Sequence, residues 1–426
     1  MSPRGRVGTA ITGAKQLIRR HRPDYQLILY MGVLVMLGVV VLYAISPARV
    51  ELINEGGSNL DQAHFMQRQL LYLLVGLVGF GITASIPISF WQKYASKILL
   101  VAFGACLLLA LLGAVKVWPA LCTSGACRWF AIGPGTFQPA ELVKFGLLLF
   151  VAGLLGSRIA QGKVNDIQET IVPVGIVVGI ATFFIVVLQQ DMGTGIALLG
   201  IVAAMLFVAG VNKRIGALVV GVIFFAGVSL VVIAPHRLER IATFLNPSQD
   251  TENTSYHLQQ AKIAIGSGGF FGLGLGHSVQ AFGYLPEAVN DSIFAIMGEL
   301  FGFVGLLAVL ALFIALLMRI LNIMDRIHDP PMKLLVAGGF GWIATHVIVN
   351  IGAMIGIFPL TGVTLPFLSF GGTSLLFIML TLGLVFQISR YTTHGPRKEG
   401  EEHEDTRGRR GVGRTRNASS RYNKGA

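Results

Sequence analysis

Apolar residues gather into ten runs, at roughly 27–46, 68–88, 97–117, 140–157, 170–188, 193–211, 215–234, 293–318, 334–358 and 372–389. Each has close to the 20 or so residues that carry a helix through about 30 Å of hydrocarbon. The pattern predicts helices, because lipid leaves no partner for an unpaired backbone group and a helix pairs its own. Short polar connections alternate with long ones at 47–67, 118–139 and 235–292. The first run follows Lys15, Arg19, Arg20 and Arg22, lacks a small-residue cleavage site and is succeeded by nine more runs, so it reads as a span and not as a signal peptide.

Composition agrees. Hydrophobic residues make up 54% of the 426 and charged residues 13%, against about 25% charged in soluble domains. An ordinary cytoplasmic enzyme and a disordered chain are both excluded. The fold class expected is all-α: a polytopic membrane protein of about ten transmembrane helices, with a large extracytoplasmic loop between helices 7 and 8. The formal net charge of +12 sits mostly at the ends. With the N-terminus placed inside, 25 of the 33 lysines and arginines fall on inner segments and tails, as the positive-inside rule requires. The expected organisation is a basic cytoplasmic tail over 1–26, a membrane domain over 27–391 that includes the outer loop 235–292, and a disordered cytoplasmic tail over 392–426. A basic chain also suits nucleic acid, but no folded basic surface is present to form a groove, so nucleic acid is not an expected partner. Membrane lipids are.

Of three cysteines, Cys106 lies within an apolar run and reads as packing. Cys122 and Cys127 share a Gly/Ser loop; on an oxidising face they can pair, and the sequence leaves their state open.

Several segments offer chemistry. Tyr284-Leu-Pro-Glu287 leads through Asn290, Asp291 and Ser292 into the eighth run. A carboxylate there lies near the low-dielectric boundary, where desolvation makes it a usable base; the plainer reading is a helix cap. Glu287 has the same two readings. Glu299, about two turns further on, needs a partner or a path, since acids within a membrane are costly. His346 and Asn350 share one face of the ninth run and suit inter-helix hydrogen bonding. Arg128-Trp129 precede Gln138-Pro139-Ala-Glu141, a helix start with Pro at its first position and an acid at its positive end. Arg128 and Lys144 are placed to hold an anion there, and Trp129 also suits an interface anchor. Gln189-Gln-Asp191-Met-Gly-Thr194 reads as a tight turn capped by Asp191. The stretch Gly266–Gly276 looks like a phosphate cradle but follows no Rossmann strand; nucleotide binding is rejected and close approach to a lipid-linked headgroup stays open. Pro359–Ser374 resembles a re-entrant segment, whose backbone groups must be buried in protein or line a cavity. No spacing marks a tight metal site, which leaves room only for a loosely held divalent ion, Mg or Mn, on a diphosphate.

Taken together, Arg128-Trp129, Gln138–Glu141, Gln189–Thr194, Phe244-Leu-Asn246-Pro247, Ile263–Gly269, Tyr284–Asp291 and Pro359–Ser374 resemble the blocks of the SEDS family, of the FtsW/RodA type, over about residues 25–392. The resemblance implies a peptidoglycan glycosyltransferase. It would polymerise lipid II on the outer face of the cytoplasmic membrane, with both termini inside, and work with a class B penicillin-binding protein and other division or elongation proteins. It places the essential acid on Asp291. Arg128, Lys144, Arg237, Arg240 and Lys262 become candidates to stabilise a leaving diphosphate, and Trp129, Glu287 and Ser369 candidates for substrate contact. The chain departs from the pattern at Gln190, Met192, Asn290, Ser292, Ala281, Phe370 and Thr373; Ala281 removes one expected positive charge. Two other classes stay in play. A precursor flippase would use Glu299, His346 and Asn350 as its path, and a non-catalytic scaffold would only recruit a transpeptidase.

Overall fold

Nine of the ten apolar runs lie within the described residues and fold as helices. In the computed structural model, which describes residues 19–20, 22–123, 126–133, 135–217, 221 and 254–392, α1 spans Tyr25–Glu55, α2 His64–Ser85 and α3 Ile88–Ala114. A three-stranded antiparallel sheet follows, with β1 Ala120–Thr123, β2 Ala126–Ile132 and β3 Gly135–Phe137 in sequential order. Then come α4 Pro139–Ala160, α5 Ile167–Leu188 with a π turn at each end, α6 Met192–Val208, α7 Thr254–Ser267, α8 Ile293–Asp325, α9 Pro330–Met354 and α10 Gly372–Ile388. Most of both tails, nearly all of the seventh apolar run, the block Phe244–Pro247 and the candidates Arg237 and Arg240 lie outside the described residues.

Among the described residues, seven helices are long and apolar enough to cross a membrane: α1 to α5, α8 and α9. Two shorter apolar helices, α6 and α10, have 17 residues each. At 1.5 Å per residue such a helix reaches only about 25 Å. Both start beside polar chain that lines a cavity, so the missing depth lies at the site described below. The chain is a mostly helical, multi-pass membrane protein.

Burial separates central from peripheral helices. The most apolar stretch of α9 is 78% buried and that of α4 61%, against 17% for α2 and 22% for α3. Leu74, Val78, Leu100, Val101 and Leu111 lie exposed on those outer helices, as side chains facing lipid do. Where helices touch, small residues let backbones approach. A Cβ on Gly341 of α9 would stand 2.5 Å from the Gly200 carbonyl of α6, and one on Gly383 of α10 would stand 2.6 Å from the Phe80 carbonyl of α2.

The glycine-rich stretch does something other than cradle a ligand. α8 breaks at Gly302, whose φ of 66° lies in the left-handed region. The stretch 269–274 runs alongside the break and replaces the lost helical bonds. Phe303 and Val304 donate to the carbonyls of Gly269 and Phe270 at 2.9 and 3.1 Å, while Leu273 and Gly274 donate to those of Glu299 and Leu300 at 2.9 and 3.0 Å. Non-helical backbone at membrane depth needs such partners. Gly268 and Gly272 lie directly against the backbone of α8 at Gly298 and Leu300, so these two glycines serve backbone-to-backbone packing.

Glu299 belongs to the same construction. Its carboxylate accepts from Ser278 Oγ at 2.5 Å and from the Val279 and Gln280 amides at 2.9 and 3.2 Å. It caps the short turn Gln280–Phe282 and is a structural hydrogen-bond centre.

Candidate active site

The helices present their polar ends at one face. A cavity of about 470 Å³ opens there, lined by Tyr72 of α2, Arg128 and Trp129 of β2, Gln138 and Glu141 at the start of α4, and Asp191 and Thr194 at the start of α6. Glu287, Asn290 and Asp291 ahead of α8, His346 of α9, and residues 362–364 and 370–374 complete it.

Asp291 sits half-buried in the last turn before α8, one residue ahead of the N-cap position, which Ser292 holds without a side-chain capping bond. The turn is closed locally. The Asn290 and Ser292 amides donate to the Glu287 carbonyl at 2.9 and 3.2 Å, and Asn290 Nδ2 donates to Glu287 Oε2 at 2.5 Å. Glu287 adopts a left-handed φ of 50°. From the bundle, Asn350 Nδ2 donates to the Asp291 and Val363 carbonyls, both at 2.7 Å. One amide of a central helix therefore ties the turn that carries the acid to the re-entrant segment opposite. Phe370 N–H, donating to Val289 O at 2.8 Å, repeats that tie.

The floor is a buried polar cluster shared by the two central helices. Lys144 Nζ is fully buried, 2.8 Å from Glu141 Oε1 and 3.3 Å from His346 Nε2, and lies 4.7 Å from the centre of the Trp342 ring. His346 Nδ1 stands 3.1 Å from the Thr364 carbonyl. That carbonyl can only accept, so Nδ1 carries the proton and Nε2 accepts from Lys144. Glu141 Oε2 is buried and finds no hydrogen-bond partner among the described residues.

The far wall is fixed by Arg128. Its Nε donates to Gln189 O at 3.2 Å and its Nη2 to Gln190 O at 2.8 Å. Asp191 follows, capping α6 through Thr194 N at 2.9 Å and accepting from Gln138 Nε2 at 2.8 Å. The hairpin that delivers Arg128 is joined across its strands by a Cys122–Cys127 disulfide, which resolves the state that the sequence left open.

The structure thus brings Arg128, Trp129, Glu287 and Asp291 to one cavity. Lys144 lies sealed beneath it as the partner of Glu141, with no exposed surface to meet the anion expected there. Ser369 is buried and accepts the Leu365 amide at 2.8 Å, a bond internal to the re-entrant segment. Lys262 is exposed on α7 with its side chain against Gly356, away from the cavity. Asp191, which the sequence marks as a cap, and Gln138, Glu141 and Tyr72, which it does not mark as site residues, also line the cavity. The first three stand within motifs singled out above; nothing in their spacing says that they meet. Among the described residues no group of three His, Cys, Asp or Glu side chains stands together to hold a metal ion.

The profile of the cell cycle protein family of FtsW, RodA and SpoVE matches residues 25–394. Stage V sporulation protein E of Bacillus subtilis (strain 168) is 34% identical over 379 residues, covering 88% of this chain and 99% of that protein. The probable peptidoglycan glycosyltransferase FtsW of Aliivibrio salmonicida (strain LFI1238) is 37% identical over 353 residues, covering 80% and 84%. Among solved structures, a chain from a study of structural coordination of polymerization and crosslinking by a peptidoglycan synthase complex superposes with a TM-score of 0.66 at 27% identity, covering 86% of this chain and 98% of the other. The rod shape determining protein RodA of Thermus thermophilus superposes at 0.61 with 25% identity, covering 88% and 98%.

Proposed function

The chain belongs to the FtsW/RodA/SpoVE cell cycle protein family, and from that membership we propose that it is a peptidoglycan glycosyltransferase that polymerises lipid II. One observation carries the reading: a half-buried carboxylate, Asp291, held by its backbone at the wall of a cavity that also presents aromatic rings, hydroxyls and an arginine. Rings and hydroxyls suit saccharide faces, and the carboxylate suits an acceptor hydroxyl.

In the proposed reaction Asp291 takes the proton of the acceptor sugar's 4-hydroxyl. The oxygen forms a bond to C1 of the donor sugar, and the bond from C1 to the undecaprenyl diphosphate oxygen breaks with its electron pair on the leaving group. Arg128 is the described cation at the cavity and the candidate to face that charge. No step depends on a bound cation. The cavity face is assigned to the outside of the inner (cytoplasmic) membrane, with both termini cytoplasmic, because the opposite assignment would reverse the lysine and arginine bias. A class B penicillin-binding protein is the proposed partner. The flippase reading is weakened because Glu299, His346 and Asn350 each make fixed contacts and none is left to form a path.

The test is glycan-chain formation from lipid II by the purified full chain, with and without the transpeptidase. Wild type gives polymer and Asp291→Asn, equally folded, gives none. Undiminished polymer from Asp291→Asn sinks the assignment. Headgroup translocation without polymer would favour transport, and a chain inert in both settings would favour the scaffold.

A further inference from the structure

A side chain of the large outer loop reaches the acid-bearing turn. His257 of α7 places Nε2 at 2.6 Å from Ser292 Oγ. Ser292 is the residue after Asp291 and is completely buried. Its hydroxyl stands 2.8 Å from the Pro286 carbonyl, which can only accept, so the single hydroxyl proton is committed there. The contact with His257 must therefore run the other way, with Nε2–H as donor and Oγ as acceptor. One buried hydroxyl thus joins the two ends of the 286–292 turn and fastens that turn to a helix of the outer loop. Asn350 grips the Asp291 carbonyl from the other side. Removing either half of the His257–Ser292 bond takes away this fastening of the turn to α7.

We propose that His257 and Ser292 are positioning residues: together they clamp the Asp291 turn, so that the setting of the acid in the cavity depends on the docking of α7. The proposal rests on Asp291 acting as the base. A small displacement of a reacting group suffices to slow a reaction strongly while leaving substrate binding intact.

The experiment measures kcat and KM for polymer formation by the full chain with its transpeptidase. The variants are Ser292→Ala, His257→Phe, the two combined, His257→Gln and Asp291→Asn, each verified as monodisperse. The clamp predicts a loss of kcat on the order of tenfold in each of the first two, with KM within about twofold. The combined variant is no slower than the slower single change, because both remove the same bond. His257→Gln keeps an N–H donor and retains most of the wild-type kcat. Wild-type kcat in Ser292→Ala and His257→Phe overturns the proposal. So do losses that multiply in the combined variant, or a His257→Gln as slow as His257→Phe. Full activity in Asp291→Asn would instead remove the base itself, so failure of the clamp and failure of the underlying reading are told apart.

Discussion

At the scale of the residue, Lys144 shows how a membrane protein keeps a charge. Its ammonium has three protons and three neighbours: a carboxylate, an imidazole nitrogen and the face of an indole. Taking the lysine alone away leaves Glu141 charged and buried, and breaking such a pair costs about 3–5 kcal/mol. Lys144→Met should therefore lower the thermal unfolding midpoint in detergent sharply. Lys144→Met combined with Glu141→Gln should recover most of the loss, since replacing both partners removes the stranded charge. Equal midpoints for the single and the combined variants would show that the pair is not what the lysine serves. Asn350 works on the same principle with backbone partners, its amide nitrogen donating to two carbonyls of different segments.

At the scale of the element, the break in α8 is an exchange of partners and not a weak point. A helix that loses bonds at Gly302 regains them from the glycine-rich stretch beside it. That exchange demands contact between two backbones with nothing between them. A Cβ on Gly302 would meet the Phe270 carbonyl carbon at 2.6 Å, and Gly302 has a φ that side chains rarely adopt. Gly302→Ala thus combines strain of about 1–3 kcal/mol with a steric clash. It should reduce the yield of monodisperse protein, whereas Gly153→Ala in α4, which has open space around its Cβ position, should leave it near wild type. Comparable yields for both would refute the packing account. The hairpin shows another solution: cross-strand pairing and the disulfide fix β2, and β2 fixes Arg128.

At the scale of the whole molecule, two buried helices carry the polar groups and the peripheral helices insulate them. α4 supplies Glu141 and Lys144; α9 supplies His346 and Asn350. Close backbone contact keeps this assembly in register. Gly341→Val would drive a side chain into the Gly200 carbonyl of α6 and displace α9 along with the groups it presents. The expected outcome is loss of both thermal stability and polymer formation together, read by unfolding in detergent and by lipid II turnover. A stable, inactive variant would mean that α9 moved without disturbing its packing.

Much of this was legible in the chain itself, because it depends on short-range chemistry. Apolar length dictates helices through a bilayer, Pro139 and Asp191 mark where two of them begin, and polar residues inside such runs must turn inward. The family resemblance singles out Asp291, and the structure sets it at the wall of the cavity. The assembly decided the rest. Helices apolar on nearly every side carry no stripe to tell a lipid face from a protein face, so the sequence could not say that Lys144 would be sealed under the site, that Lys262 and Ser369 would stand apart from it, or that Gln138 would find Asp191. It could not show that the glycines answer a break 30 residues later, nor that His257 would reach Ser292. Such pairings join segments far apart along the chain, and only the packing of the helices brings them within reach of a hydrogen bond.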